Sequence, residues 1–165
     1  MFKKIAIAVP MAILALSSSM VFAATEERSI INIKASIPSS VFHARPQDPD
    51  FGKDETLNYN VVNGELSSLR AVYNLRHSDA NGSINALIDG DASLFNGANA
   101  IPLDVTIGGI ALSNTTVEVV NVADSTPGTQ RDLIITPTKP TPTQTGEYAG
   151  SFAVVFEPVI TPPTP

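Results

Sequence analysis

The residues that could do chemistry in this 165-residue chain are few. There are two histidines, His43 and His77, and no cysteine, so thiol catalysis, cysteine-based metal sites and disulfide staples are all excluded. His43 falls in a long polar stretch and His77 at the end of an apolar alternation. Each is read as solvated rather than catalytic, given the geometric demands on a general base. Asp48-Pro49-Asp50 and Asp89-Gly90-Asp91 place carboxylates in pairs, as calcium loops do. Neither continues with the further ligands and terminal glutamate of a calcium hand, and turn-forming aspartates account for both. Asn81-Gly82-Ser83 and Asn114-Thr115-Thr116 match the glycosylation triplet, a short pattern of low specificity. No Gly-x-Ser-x-Gly elbow, His-Glu-x-x-His pair or phosphate-cradling glycine loop is present. No cofactor or metal is expected, and an exported hydrolase is the weakest of the readings.

The elements that would position such residues are strands. The N-terminus comes first: Lys3 and Lys4 precede a short apolar run from Ile5 to Leu16, then Ser17–Ser19 and Met20-Val21-Phe22-Ala23. This is the pattern of a secretory signal peptide over residues 1–23, cut before Ala24; the run is too short to cross a bilayer. Removing it takes two basic residues and no acidic one, leaving eight against sixteen, a charge of −8 on 142 residues. That length suits one domain with a real core. The acidic balance argues against nucleic acid or anionic lipid as partner, and no later segment is apolar enough to insert in a membrane.

After the cut, apolar runs rich in Val, Ile, Leu and Thr alternate with Gly, Pro, Asn and Asp, the pattern of short strands and turns. Residues 30–37 read as a strand stopped by Pro38, residues 41–55 as a loop, and Thr56–Val62 as a strand before the turn Asn63-Gly64. Leu69, Ala71, Tyr73 and Leu75 form one face of the next strand, and Ser83–Asp89 another. Gly108-Gly109 supplies the positive φ that a two-residue hairpin demands. Strands are expected around Val117–Val122 and Leu133–Thr136. The proline-rich stretch 137–145 is an exposed connection, because proline lacks the ladder donor. The last strand is placed at Glu147–Glu157, with Tyr148, Gly150, Phe152, Val154 and Phe156 on one face, followed by an extended, loose tail. Seven or eight such strands without a helix predict an all-β immunoglobulin-like β-sandwich. From composition alone, residues 30–37 complete that sandwich themselves, as in a free-standing secreted module that binds carbohydrate or protein.

Several separated stretches resemble the major subunits of CFA/I-type fimbriae, the class 5 (alpha) branch of the chaperone–usher pathway. They are IINIKASI after the cleavage site, the block LNYNVVNGELSSLRAVYNLRHSDANGSINALI, the hairpin IPLDVTIGGIALSNTT, and DLIITPT followed by TGEYAGSFAVVF. Their order and spacing carry the resemblance over nearly the whole mature chain, and the lack of cysteine fits that branch. Two details depart from it: Pro38 follows the first strand at once, and the end EPVITPPTP is longer. The resemblance implies a sandwich lacking one strand, completed by the N-terminal extension of a neighbouring subunit. Residues 24–37 would then be the donor strand and residues 38–165 the pilin domain, with Ile31, Ile33, Ala35 and Ile37 facing the groove of the neighbour. Phe152, Val154 and Phe156 are the candidate walls of the acceptor groove. The implied partners are identical subunits in a homopolymer, a periplasmic chaperone, an outer-membrane usher and a tip adhesin, on the route to a cell-surface fimbrium that mediates attachment.

Overall fold

Why these segments become strands is clearest in the middle of the chain, where apolar residues recur at every second position. In a computed structural model that describes residues 42–161, Leu69, Ala71, Tyr73, Leu75 and His77 all point to one side of a single nine-residue strand. In chain order the strands are β1 (Phe42–Pro46), β2 (Tyr59–Asn60), β3 (Glu65–Leu66), β4 (Leu69–His77), β5 (Gly82–Asp89) and β6 (Ser93–Phe95). They continue as β7 (Ala100–Ile107), β8 (Ile110–Ala111), β9 (Val117–Val120), β10 (Thr129–Pro137) and β11 (Ala153–Ile160), with a one-turn helix α1 (Val122–Ser125) between β9 and β10.

The larger sheet runs β1-β4-β10-β7-β6, with β8 folded back on β7; the smaller runs β11-β5-β9, and β2-β3 is a separate hairpin. Every ladder is antiparallel. The core lies between the two layers, where Leu75, Ile84, Ile107, Val120 and Leu133 are almost fully buried. It is aliphatic, as a chain without tryptophan requires. Burial of such side chains, about 1.5–3 kcal/mol each, holds the layers together.

Gly108 and Gly109, at φ 56° and 83°, make the tight turn from β7 to β8. Elsewhere the structure corrects the sequence reading. Phe42–Pro46, read as loop, is strand β1, because its backbone pairs with β4 from Phe42↔His77 to Pro46↔Tyr73. The strand expected over Thr56–Val62 shrinks to Tyr59–Asn60, since residues 61–64 form the turn. The last strand starts at Ala153 and runs on to Ile160, through part of the tail read as loose. Pro158 is tolerated there because β11 is an edge strand. After β9 the chain makes α1, capped by Asn121, whose side chain accepts a hydrogen bond from the Asp124 N–H at 2.9 Å.

His77, read as solvated, is fully buried. Its Nδ1 accepts from the Asp79 N–H at 3.1 Å, and its Nε2 has no partner. The neighbouring turn closes tightly on it: a Cβ on Gly82 would collide with the imidazole. His43 lies in β1, half-buried, with Nδ1 shut away from solvent and unpartnered.

Candidate functional site

The two layers are unequal. Among the described residues six strands of one sheet face three of the other, and no strand of theirs lies above part of the inner surface of the larger sheet. The groove floor is built from three strands: half-buried Leu69 and Tyr73 of β4 and Leu103 of β7, over the buried Leu133 and Ile135 of β10 and Ile101 of β7. Together with its walls it forms an open groove of about 1110 Å³.

One wall is the start of β11. Phe152 and Val154 line the groove, while β11 pairs with β5 along its whole length on its other side. Among the described residues no strand pairs with the outer edge of β11. Among the described residues that edge leaves backbone donors and acceptors unpaired beside an apolar trough, the arrangement that accepts an added strand. Two irregular segments form the rims: residues 51–57 on one side and residues 140–151 on the other. The β2-β3 hairpin closes one end through Tyr59 and Leu66.

The aromatic side chains form a continuous series. Phe51 meets the Tyr73 ring edge-on at 6.4 Å, and Tyr73 lies against Phe156 at 5.4 Å. Burial pushes the Tyr73 phenol above its ordinary value, because the ionised form loses water that nothing replaces. Tyr148, in the rim, carries a buried hydroxyl with no hydrogen-bond partner. No group of three or more potential metal ligands occurs among the described residues. What the site offers is shape, apolar surface and an open ladder rather than reactive groups.

Of the residues singled out in the sequence, Phe152 and Val154 stand in the groove wall and Phe156 in the ring stack beside it. Ile31, Ile33, Ala35 and Ile37 lie outside the described residues. The floor residues and the two rims were not anticipated. Their signal was present as alternation in β4, β7 and β10, but which part of a face stays uncovered depends on the other layer.

Comparison with known proteins gives three findings. The profile of the family described as CS1 type fimbrial major subunit matches residues 27–157. The CooA pilin subunit from enterotoxigenic Escherichia coli superimposes with a TM-score of 0.60 at 16% identity, covering 72% of this chain and 87% of its own. The P pilus rod subunit PapA gives 0.44 at 12% identity, over 81% of this chain and 100% of its own. No curated protein sequence matches the chain.

Proposed function

The chain belongs to the family of CS1 type fimbrial major subunits, and from that premise we propose that copies of it polymerise by exchanging strands to form the stalk of a surface fimbria. The observation that carries the proposal is the edge of β11, unpaired among the described residues, beside an apolar groove of about 1110 Å³. The occupant is the N-terminal segment, residues 24–37, of the next copy. Ile31, Ile33, Ala35 and Ile37 point into the groove, and Asn32, Lys34 and Ser36 point out. Phe152, Val154 and Phe156 are the β11 side of the acceptor.

Burying three isoleucines and an alanine contributes roughly 5–10 kcal/mol before ordering costs. Ladder bonds to β11 add to this, and alternate side chains give the pairing its specificity. Donor and groove are different surfaces of one molecule, so each contact leaves another to be made and the product is a filament.

An unfilled groove beside a bare edge is an aggregation hazard. A periplasmic chaperone would therefore cover it first, an outer-membrane usher would hand it to the next subunit, and a tip adhesin would end the fibre. The assembled fimbrium on the cell surface would mediate attachment to host cells or other surfaces.

The test is to purify the exported protein without partners and run it unheated and boiled on a denaturing gel, beside size exclusion. A ladder of oligomers that survives detergent until boiling is expected. Ile33→Asp should abolish the ladder while leaving a folded subunit, because it places a charge in the groove of the neighbour. A soluble, cooperatively folding monomer with no ladder would overturn the reading. Residues 30–37 would then complete their own sandwich, as in a free-standing binding module.

A further inference from the structure

The registers give the domain two distinct ends. At one, Phe42 lies opposite His77 and Ile160 opposite Gly82. At the other lie Leu69, its partner Ile135, and the Asp89–Ala153 pair, together with the β2-β3 hairpin that precedes β4. The groove is lined from this second end, through Leu69, Phe152 and Val154.

The hairpin presents an unusual tip. Turns favour Gly, Asn, Asp and Ser, yet Val61 and Val62 stand at its apex, 85% and 91% exposed. They are not loose. Gly64 N–H donates to the Asn60 carbonyl at 2.8 Å, Val62 N–H to Asn60 Oδ1 at 2.9 Å, and Glu65 N–H to Asn63 Oδ1 at 3.1 Å. Lys139 Nζ donates to the Asn63 carbonyl at 2.7 Å and ties the turn to the rim of the groove. Four hydrogen bonds thus hold two valines out into water.

What covers them follows from the length of the chain between donor and body, and this step rests on the strand-exchange reading. Ile37 ends the donor stretch and Phe42 begins β1, five residues on, a reach of at most roughly 18 Å. The ladders of the domain are all antiparallel, and that pairing is the more stable one. A donor laid antiparallel on β11 brings its Ile37 beside Ala153, at the hairpin end. The body of the incoming copy is thereby held, Phe42 end first, over the Val61–Val62 tip. That end carries an exposed apolar side chain of its own, Ile160, at 56%.

We propose that the Val61–Val62 tip is a second contact between successive copies of this chain, seated against the Phe42–Ile160 end of the next copy and fixing the angle at the joint. The protein has no cysteine, so Val62→Cys can be labelled at one position with a thiol-reactive benzophenone. Fibres assembled from the labelled subunit are irradiated, boiled and run on a denaturing gel, and the adducts are mapped by mass spectrometry.

The expected result is a ladder that now resists boiling, with adducts on residues 42–46 or 158–161 of the neighbour. Complete collapse to monomer, or adducts on any other part of the neighbour, would overturn the contact while leaving strand exchange in place. Absence of the unheated ladder from the unlabelled wild type would bring down strand exchange, and this contact with it. A second variant needs no label. Val61→Ser/Val62→Ser should leave the melting temperature of the monomer unmoved and speed fibre dissociation in denaturant about tenfold, as two valines lose their cover. An unchanged rate would overturn the contact.

Discussion

At the scale of single residues, two side chains report on how tightly the sandwich is closed. His77 is fully buried at the end of β4, and its ring fills the space where a Cβ of residue 82 would stand. Gly82→Ala should therefore destabilise the domain by about 3 kcal/mol or more, through overpacking against a group with no room to move. Chemical denaturation of the monomer measures this. Tyr73 makes the opposite kind of report, on the uncovered side. Burial raises its phenol in the folded state, so folding favours the neutral form. This contribution is complete below the ordinary tyrosine value of about 10 and is lost as pH climbs through the raised one. A melting curve recorded across that alkaline range should show stability falling, and Tyr73→Phe should remove that part of the fall.

Elements differ in how openly the sequence declares them, and the reason is physical. The Gly108-Gly109 turn is legible because positive φ is a local demand that glycine alone meets freely. Gly109→Ala, with open space around its Cβ, should cost about 1–2 kcal/mol from backbone strain alone. Gly108→Ala should cost more, because its Cβ would come within 2.7 Å of Arg131 Cδ. Thermal melts of the two variants give the ranking. β4 and β5 are legible by their alternation. β1 is not, since Phe42–Pro46 carries histidine, arginine and proline and is a strand only by virtue of its ladder to β4. The groove is legible in part. Phe152 and Val154 show on one face of a terminal strand, but Leu69, Leu103 and Ile135 read as ordinary core. Only the arrangement of the opposing layer reveals that they line a groove, and no local pattern holds that arrangement.

For the whole molecule, charge and direction matter most. With a formal charge of −6 over the full sequence, copies of the chain repel one another, and at low ionic strength that repulsion reaches well beyond contact distance. Raising salt from about 0.01 to about 0.15 M should speed strand exchange between purified subunits, measured as growth of the boil-labile ladder with time. On the strand-exchange proposal, the acidic surface would work against premature association and leave specificity to the groove. The long axis of β11 has a mechanical consequence. The strand runs from one end of the domain to the other, so a pull along the fibre would slide the donor lengthwise past its ladder. Hydrogen bonds loaded this way share the force all at once, whereas a perpendicular pull would open them one by one like a zipper. A tether under flow would therefore hold by shear, each joint yielding as a unit.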